Sequence, residues 1–158
     1  IESGDDEVLQ MNKKEATVAD ARRAVSLAKQ AGLRVWGYFM LGLYGDSPES
    51  LRRTLALATE LPCDLVNFAL AAPYPGTEWG RLAESHGWLA SSRWEDYDQN
   101  TSAIVDQPGL SHQDVLAFQR HAYLTWYGSW RGLKFLAQAW RPRYARFFWT
   151  VIRSHLGW

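Results

Sequence analysis

The sequence predicts an α/β fold built on parallel strands, and three observations carry that expectation. Segments of β character end at Ile1, Leu41 and Ala71, about 30–40 residues apart, which is the repeat length of a βα unit. Each interval is filled by a stretch with apolar residues at helical spacing. The two complete strand candidates, Leu33 to Leu41 and Asp64 to Ala71, are mostly apolar on both faces, as strands of a parallel sheet are. The pattern is βαβαβ.

In chain order, Ile1 reads as the end of a strand, and Ser3-Gly4-Asp5-Asp6 supplies cap chemistry for a short helix through about Met11. Thr17 and Asp20 form an approximate capping box for a helix that Gly32 stops. Val35, Trp36, Tyr38 and Phe39 give the next segment its strand character. Gly42 to Asp46 is a turn, with Asp46 and Glu49 as caps and Pro48 in the first turn of a helix to about Glu60, ended by Pro62. Pro73-Tyr74-Pro75-Gly76 leaves the following strand, and Thr77 caps a helix to about Ser85. Residues 86–110 are expected to be irregular. Ser111 with Asp114 starts a long helix to about Tyr127, interrupted near Gly128 and Gly132, and Pro142 separates it from a last helix over about Arg143 to His155.

Composition excludes several classes. The single cysteine, Cys63, rules out an internal disulfide framework and any zinc or iron–sulfur site built from this chain's thiolates alone. It fits a reducing cytoplasmic setting. No metal-ligand spacing links His86, His112, His121 and His155. No run of about 18 apolar residues is long enough to span a bilayer. The net charge is zero, but residues 131–158 hold six basic and no acidic side chains, so the first 130 carry the compensating −6. Five of the nine tryptophans lie from Trp126 onward, which makes 126–158 a basic, aromatic segment suited to peripheral contact with an anionic membrane. No recognition motif accompanies the charge, so nucleic acid is not expected as a partner.

Parallel α/β folds place function at the carboxyl ends of their strands. That rule selects Glu2-Ser3-Gly4, Gly42-Leu43-Tyr44-Gly45-Asp46 and Ala72-Pro73-Tyr74-Pro75-Gly76, all on one rim. Glu2 is an acceptor suited to sugar hydroxyls. Ser3 both donates and accepts. Gly42 and Gly45 let a planar ligand approach the backbone, and the two prolines stiffen the loop that presents Tyr74. A phosphate loop is excluded, because no Gly-Lys-Ser/Thr follows the glycines.

The run Ile1-Glu2-Ser3-Gly4-Asp5-Asp6-Glu7-Val8-Leu9, with Met11-Asn12-Lys13, Ala31-Gly32-Leu33-Arg34-Val35, Gly37 to Leu43, and Pro73-Tyr74-Pro75-Gly76-Thr77-Glu78, resembles the second half of the radical S-adenosylmethionine (SAM) barrel. It looks most like the branch with an N-terminal cobalamin-binding domain, which includes magnesium-protoporphyrin cyclase and hopanoid-modifying relatives. The resemblance covers about residues 1–98. It implies the C-terminal part of a partial (β/α)6 TIM-like barrel over 1–98, followed by a helical, basic, Trp-rich extension over 99–158. It implies SAM as cofactor and a [4Fe–4S] cluster on a Cys-x3-Cys-x2-Cys loop. It also implies a reductant protein for the parent enzyme, and cobalamin in a preceding domain.

The implied reaction is reductive cleavage of SAM to a 5′-deoxyadenosyl radical acting on an apolar substrate such as a lipid or tetrapyrrole. By the same resemblance, Glu2 and Ser3 match polar residues near the SAM ribose and methionyl part, and Lys13 a basic residue for its carboxylate. Met40 would neighbour adenine, Gly42 and Pro73 would shape the adenine rim, and Tyr74 would stand at it. The segment Trp94-Glu95-Asp96-Tyr97 is similar to one that follows the barrel in these relatives.

There are departures. The three-cysteine motif and the cobalamin domain are absent, and Tyr44 stands where most relatives have proline. The expectation is therefore a fragment of a longer radical SAM enzyme, inactive by itself and lying in the cytoplasm or at the inner face of the membrane. A non-catalytic α/β scaffold that docks on a membrane or partner is the alternative. A (β/α)8 barrel with a phosphate site would need two further βα units after residue 77, which the Trp-rich sequence does not offer.

Overall fold

The computed structural model describes residues 1–139, and the helix expected over 143–155 lies outside them. Two strands, β1 (Trp36–Leu41) and β2 (Leu65–Leu70), pair in parallel with Phe39 opposite Phe68. Glu2 adds a parallel bridge on the other side of β1, accepting from Met40 N and donating to Tyr38 O at 2.8 and 2.9 Å. The chain is thus mixed α/β, with a small parallel sheet and helices between its strands.

Local chemistry sets the helices. Asp5 caps α1 (Asp6–Met11) by accepting from Glu7 N and Val8 N. Thr17 and Asp20 form the reciprocal capping box of α2 (Val18–Gln30), and Gly32 follows its end at φ 74°, the left-handed conformation that glycine adopts freely. The box of α3 (Pro48–Glu60) is made by Ser47 and Ser50 rather than by Asp46 and Glu49. Thr77 caps α4 (Glu78–Ser85). Residues 86–110 hold a 3-10 turn at Trp94–Asp96 and two isolated antiparallel bridges. Ser111 and Asp114 box the start of α5 (His112–Gly128). Ser129 then breaks the helix, and α6 (Trp130–Ala139) follows. Gly132 is no break: a Cβ there would collide with the backbone of Trp126 and Tyr127, so glycine lets α6 turn closely against the end of α5.

The first strand is shorter than its composition suggests. Val35 N and the Lys29 ammonium both donate to the Asp64 carboxylate, which holds the lead-in to β1 as a loop. One face of the sheet, with Phe39, Leu41, Val66, Phe68 and Leu70, packs against Leu51, Leu55, Ala58, Val115, Ala122 and Trp126 of α3 and α5. On the opposite face Trp36 and Tyr38 are about half exposed, while Met40, Leu65, Asn67 and Ala69 are partly buried.

Helix α5 also closes the outer edge of β2. Gln119 donates to Phe68 O at 2.7 Å, Tyr123 O–H accepts from Phe68 N at 3.1 Å, and Tyr127 O–H donates to Val66 O at 3.1 Å. Residues four apart on one helix stripe thus satisfy the polar groups that an edge strand leaves open. Burial among apolar side chains pushes the phenols of Tyr123 and Tyr127 upward, so both stay protonated as donors.

Candidate functional site

Because the sheet is parallel, the segments that follow Glu2, Leu41 and Leu70 leave it at the same end. Their contacts bring them together. Ala71 N donates to Leu41 O at 2.9 Å, and Val8, Met40, Leu43 and Ala71 share a small apolar cluster. Asn12 donates to Tyr44 O, Lys13 pairs with Glu78 at 2.6 Å, and the Tyr44 and Trp79 rings lie 5.3 Å apart. The rim foreseen from the sequence is therefore a single structural unit.

Glu2 sits in the left-handed region at φ 71°, uncommon for a residue with a side chain. Its Oε2 is covered and makes no hydrogen bond of good geometry, although Lys14 Nζ lies 2.8 Å away. Ser3 is fully buried against α3, 3.3 Å from Thr54 Oγ1, and its hydroxyl accepts from Asp5 N. Gly4 lies so close to α3 that an added Cβ would stand 2.5 Å from Arg53 O. Lys13 is exposed and committed to Glu78, so Lys14 is the cation beside Glu2. Pro73 is fully buried. Tyr74 donates to Tyr97 O at 3.3 Å and forms a ring ladder with Tyr97 and Trp94, the last 70% exposed.

The glycine loop is held by side chains from elsewhere. Gly42 and Gly45 both sit at φ 81°. Asp46 accepts from Gly42 N at 3.0 Å, Leu43 N at 2.9 Å and Ser50 Oγ at 2.5 Å. Gln107 donates to Leu43 O and accepts from Gly45 N, each at 2.9 Å. The loop therefore presents shape, because the amides of 42, 43 and 45 are already bonded within the protein. Burial raises the Asp46 carboxyl to about 6 despite its three donors and despite its ordinary value of 3.8; the Asp5 charge adds to the rise. Neither Gln107 nor the inward turn of Asp46 was foreseen. Gln107 lies far from the loop in sequence, and Asp46 is one residue from a serine with equal capping power.

Among the described residues, no group of three or more His, Cys, Asp or Glu side chains could hold a metal ion, and no helix is long and apolar enough to cross a membrane. Two open clefts, of about 460 and 660 Å³, are lined by residues at the amino ends of the strands and the carboxyl ends of α2 and α3, away from the rim.

No protein-family model matches the chain. It is 28% identical over 127 residues to an uncharacterized methyltransferase of Pyrococcus horikoshii, covering 80% of this chain and 28% of that protein. It is 33% identical over 67 residues to the anaerobic magnesium-protoporphyrin IX monomethyl ester cyclase of Rubrivivax gelatinosus, covering 42% of this chain and 12% of the cyclase. The same cyclase of Cereibacter sphaeroides is 32% identical over 69 residues, covering 44% and 11%. The chain is thus distantly related, over partial stretches, to proteins named as enzymes. It spans 28% of the Pyrococcus protein and about a tenth of either cyclase.

Proposed function

We propose that this chain forms the C-terminal part of a partial (β/α)6 barrel in a radical SAM enzyme, with the rim at Glu2, Gly42 and Pro73 facing the nucleoside of SAM. The observation that carries the reading is the place of Glu2, held in a left-handed conformation where a strand meets the rim, with its carboxylate paired to Lys14 at 2.8 Å. A carboxylate at the carboxyl end of a strand, with a second oxygen beyond the one Lys14 takes, is an acceptor suited to a ribose hydroxyl. Relatives named as methyltransferase and cyclase support enzymatic parentage.

In this reading Glu2 accepts from the ribose, with Lys14 balancing its charge. Met40 and the rigid Gly42–Gly45 turn give adenine an apolar, flat boundary, and buried Pro73 fixes the third side. Ser3 acts through Thr54, positioning the Glu2 backbone rather than touching the ligand, and Lys13 ties the end of α1 to α4. Tyr74, Tyr97 and Trp94 form an aromatic ladder beside the rim, suited to an apolar substrate. Bound SAM, reduced by a [4Fe–4S] cluster, would supply a 5′-deoxyadenosyl radical. This chain's lone, buried Cys63 cannot hold that cluster, so its ligands, any cobalamin site and the docking point for a reductant protein belong to polypeptide outside this sequence. Such redox chemistry suits a cytoplasmic setting.

The test is anaerobic assay of a polypeptide in which this chain is continuous with a Cys-x3-Cys-x2-Cys segment. Reduced with dithionite, it should release 5′-deoxyadenosine from SAM. Glu2→Ala should weaken SAM binding about 10-fold or more, the worth of one charged hydrogen bond. Unchanged SAM affinity in that variant would remove Glu2 from the site, and absence of 5′-deoxyadenosine would remove the reaction.

A further inference from the structure

We propose that the cleft at the amino ends of the strands, with the outer face of α6, is a docking surface for an anionic lipid bilayer. It goes beyond the catalytic reading and stands without it. The cleft, of about 660 Å³, is walled by Arg34 and Trp36 at the start of β1, by Asp64 before β2, and by Arg131 and Lys134 of α6.

Its charge is unbalanced. Asp64, the one carboxylate, already accepts from the Lys29 ammonium at 2.7 Å and from Val35 N at 2.8 Å. The Arg131 guanidinium donates to Thr59 O at 2.8 Å and Leu61 O at 2.9 Å, where the carboxyl end of α3 favours a cation. It is fixed in place by carbonyl oxygens, and among the described residues it forms no ion pair. Arg34 feels the Asp64 charge without a hydrogen bond to it, and Lys134 has no hydrogen bond or ion pair among the described residues. Excess positive charge at a concave surface attracts phosphate-bearing partners.

Apolar side chains single out a bilayer among anionic partners. Trp130 and Leu133 stand 80% and 50% exposed on the same short helix as Lys134. Indole and leucine beside unpaired cations are the makings of an interfacial helix, where the apolar groups enter the headgroup boundary and the cations meet lipid phosphates. A soluble polyanion would use the charges and leave the indole in water. The sequence continues in the same sense, since residues 131–158 contain six basic and no acidic side chains. The surface lies at the opposite end of the strands from Glu2, Gly42 and Pro73. A docked chain would therefore keep its rim turned away from the lipid.

The experiment is co-sedimentation of the 158-residue chain with vesicles of phosphatidylcholine, with and without about 30% phosphatidylglycerol. Binding should require the anionic lipid and fall as ionic strength rises from about 0.05 to about 0.5 M. Neutralising two cations, in Arg34→Gln/Lys134→Gln, should weaken it roughly 30-fold. Trp130→Ala should weaken binding while preserving its salt dependence. All three positions are exposed, and circular dichroism would confirm an unchanged fold. Equal binding to neutral vesicles, no binding at low salt, or full binding by the Arg34→Gln/Lys134→Gln variant would each overturn the proposal. Capture by heparin with none by vesicles would assign the surface to a soluble polyanion and overturn it as well.

Discussion

Along the outer edge of β2, Val66 O, Phe68 N and O, and Leu70 N are all bonded, by Tyr127, Tyr123, Gln119 and the carbonyl of Gln99. Along the outer edge of β1 the sheet continues through one bridge, at Glu2, and the neighbouring aromatic face at Trp36 and Tyr38 is half exposed. A strand edge is a template for more sheet unless something blocks it. Here a helix blocks one edge with three side chains in register, while the other carries a single bridge. The difference teaches that, among the described residues, the sheet is closed at the β2 edge and open at the β1 edge.

The largest expected effect tests the closed side. Trp126 is 1% exposed, packs under α3 and donates its indole N–H to Ala58 O at 3.1 Å. Trp126→Ala would leave a cavity and an unpaired carbonyl where α5 meets the core. Substitutions of this kind cost about 3–5 kcal/mol, so Tm should drop by roughly 10–15 °C in a thermal melt. A drop of only a few degrees would mean that α5 lies on the sheet without sealing it.

A smaller effect belongs to the rim. A carboxyl whose folded value is raised from 3.8 to about 6 holds its proton more tightly in the folded state than in the unfolded one. Its contribution to stability is therefore full below about pH 4, is lost as pH rises to about 6, and is flat beyond. The span is roughly 3 kcal/mol at about 1.4 kcal/mol per unit. Asp46→Asn should remove that slope. The difference between wild-type and variant melting curves, followed from pH 4 to pH 7, isolates it from the other carboxylates. A difference that does not change with pH would show that Asp46 is ionised throughout.

These two residues also mark what could be read from the sequence. The capping boxes at Thr17–Asp20 and Ser111–Asp114, and the Thr77 cap, were legible because each is settled within four residues. The parallel strands were legible because burial on one face and aromatic content on the other leave a continuous apolar run. Asp46 was not, since its choice between capping α3 and gathering the amides of 42 and 43 depends on a loop folding back. Gln107 and Gln119 look like any polar residue; their worth lies in carbonyls some 50–65 positions away. The place of Glu2 beside β1 was legible from its position at a strand end. The exchange of partners between Lys13 and Lys14 was not, because it turns on which way the chain leaves α1, at Lys13 with φ 55°.

The smallest effect tests the open side. Trp36 is 56% exposed, and its ring is 5.0 Å from that of Tyr38, on the face that no helix covers. Trp36→Ser should change stability in this chain by no more than about 0.5 kcal/mol, as surface substitutions do. In a longer polypeptide whose added elements fold over that face, the same change should cost about 2 kcal/mol or more, because the ring would then be buried. Denaturant unfolding of both forms gives the two values, and their difference measures how much of that face the added elements cover. Equal, small losses in both would show that the face is a true surface.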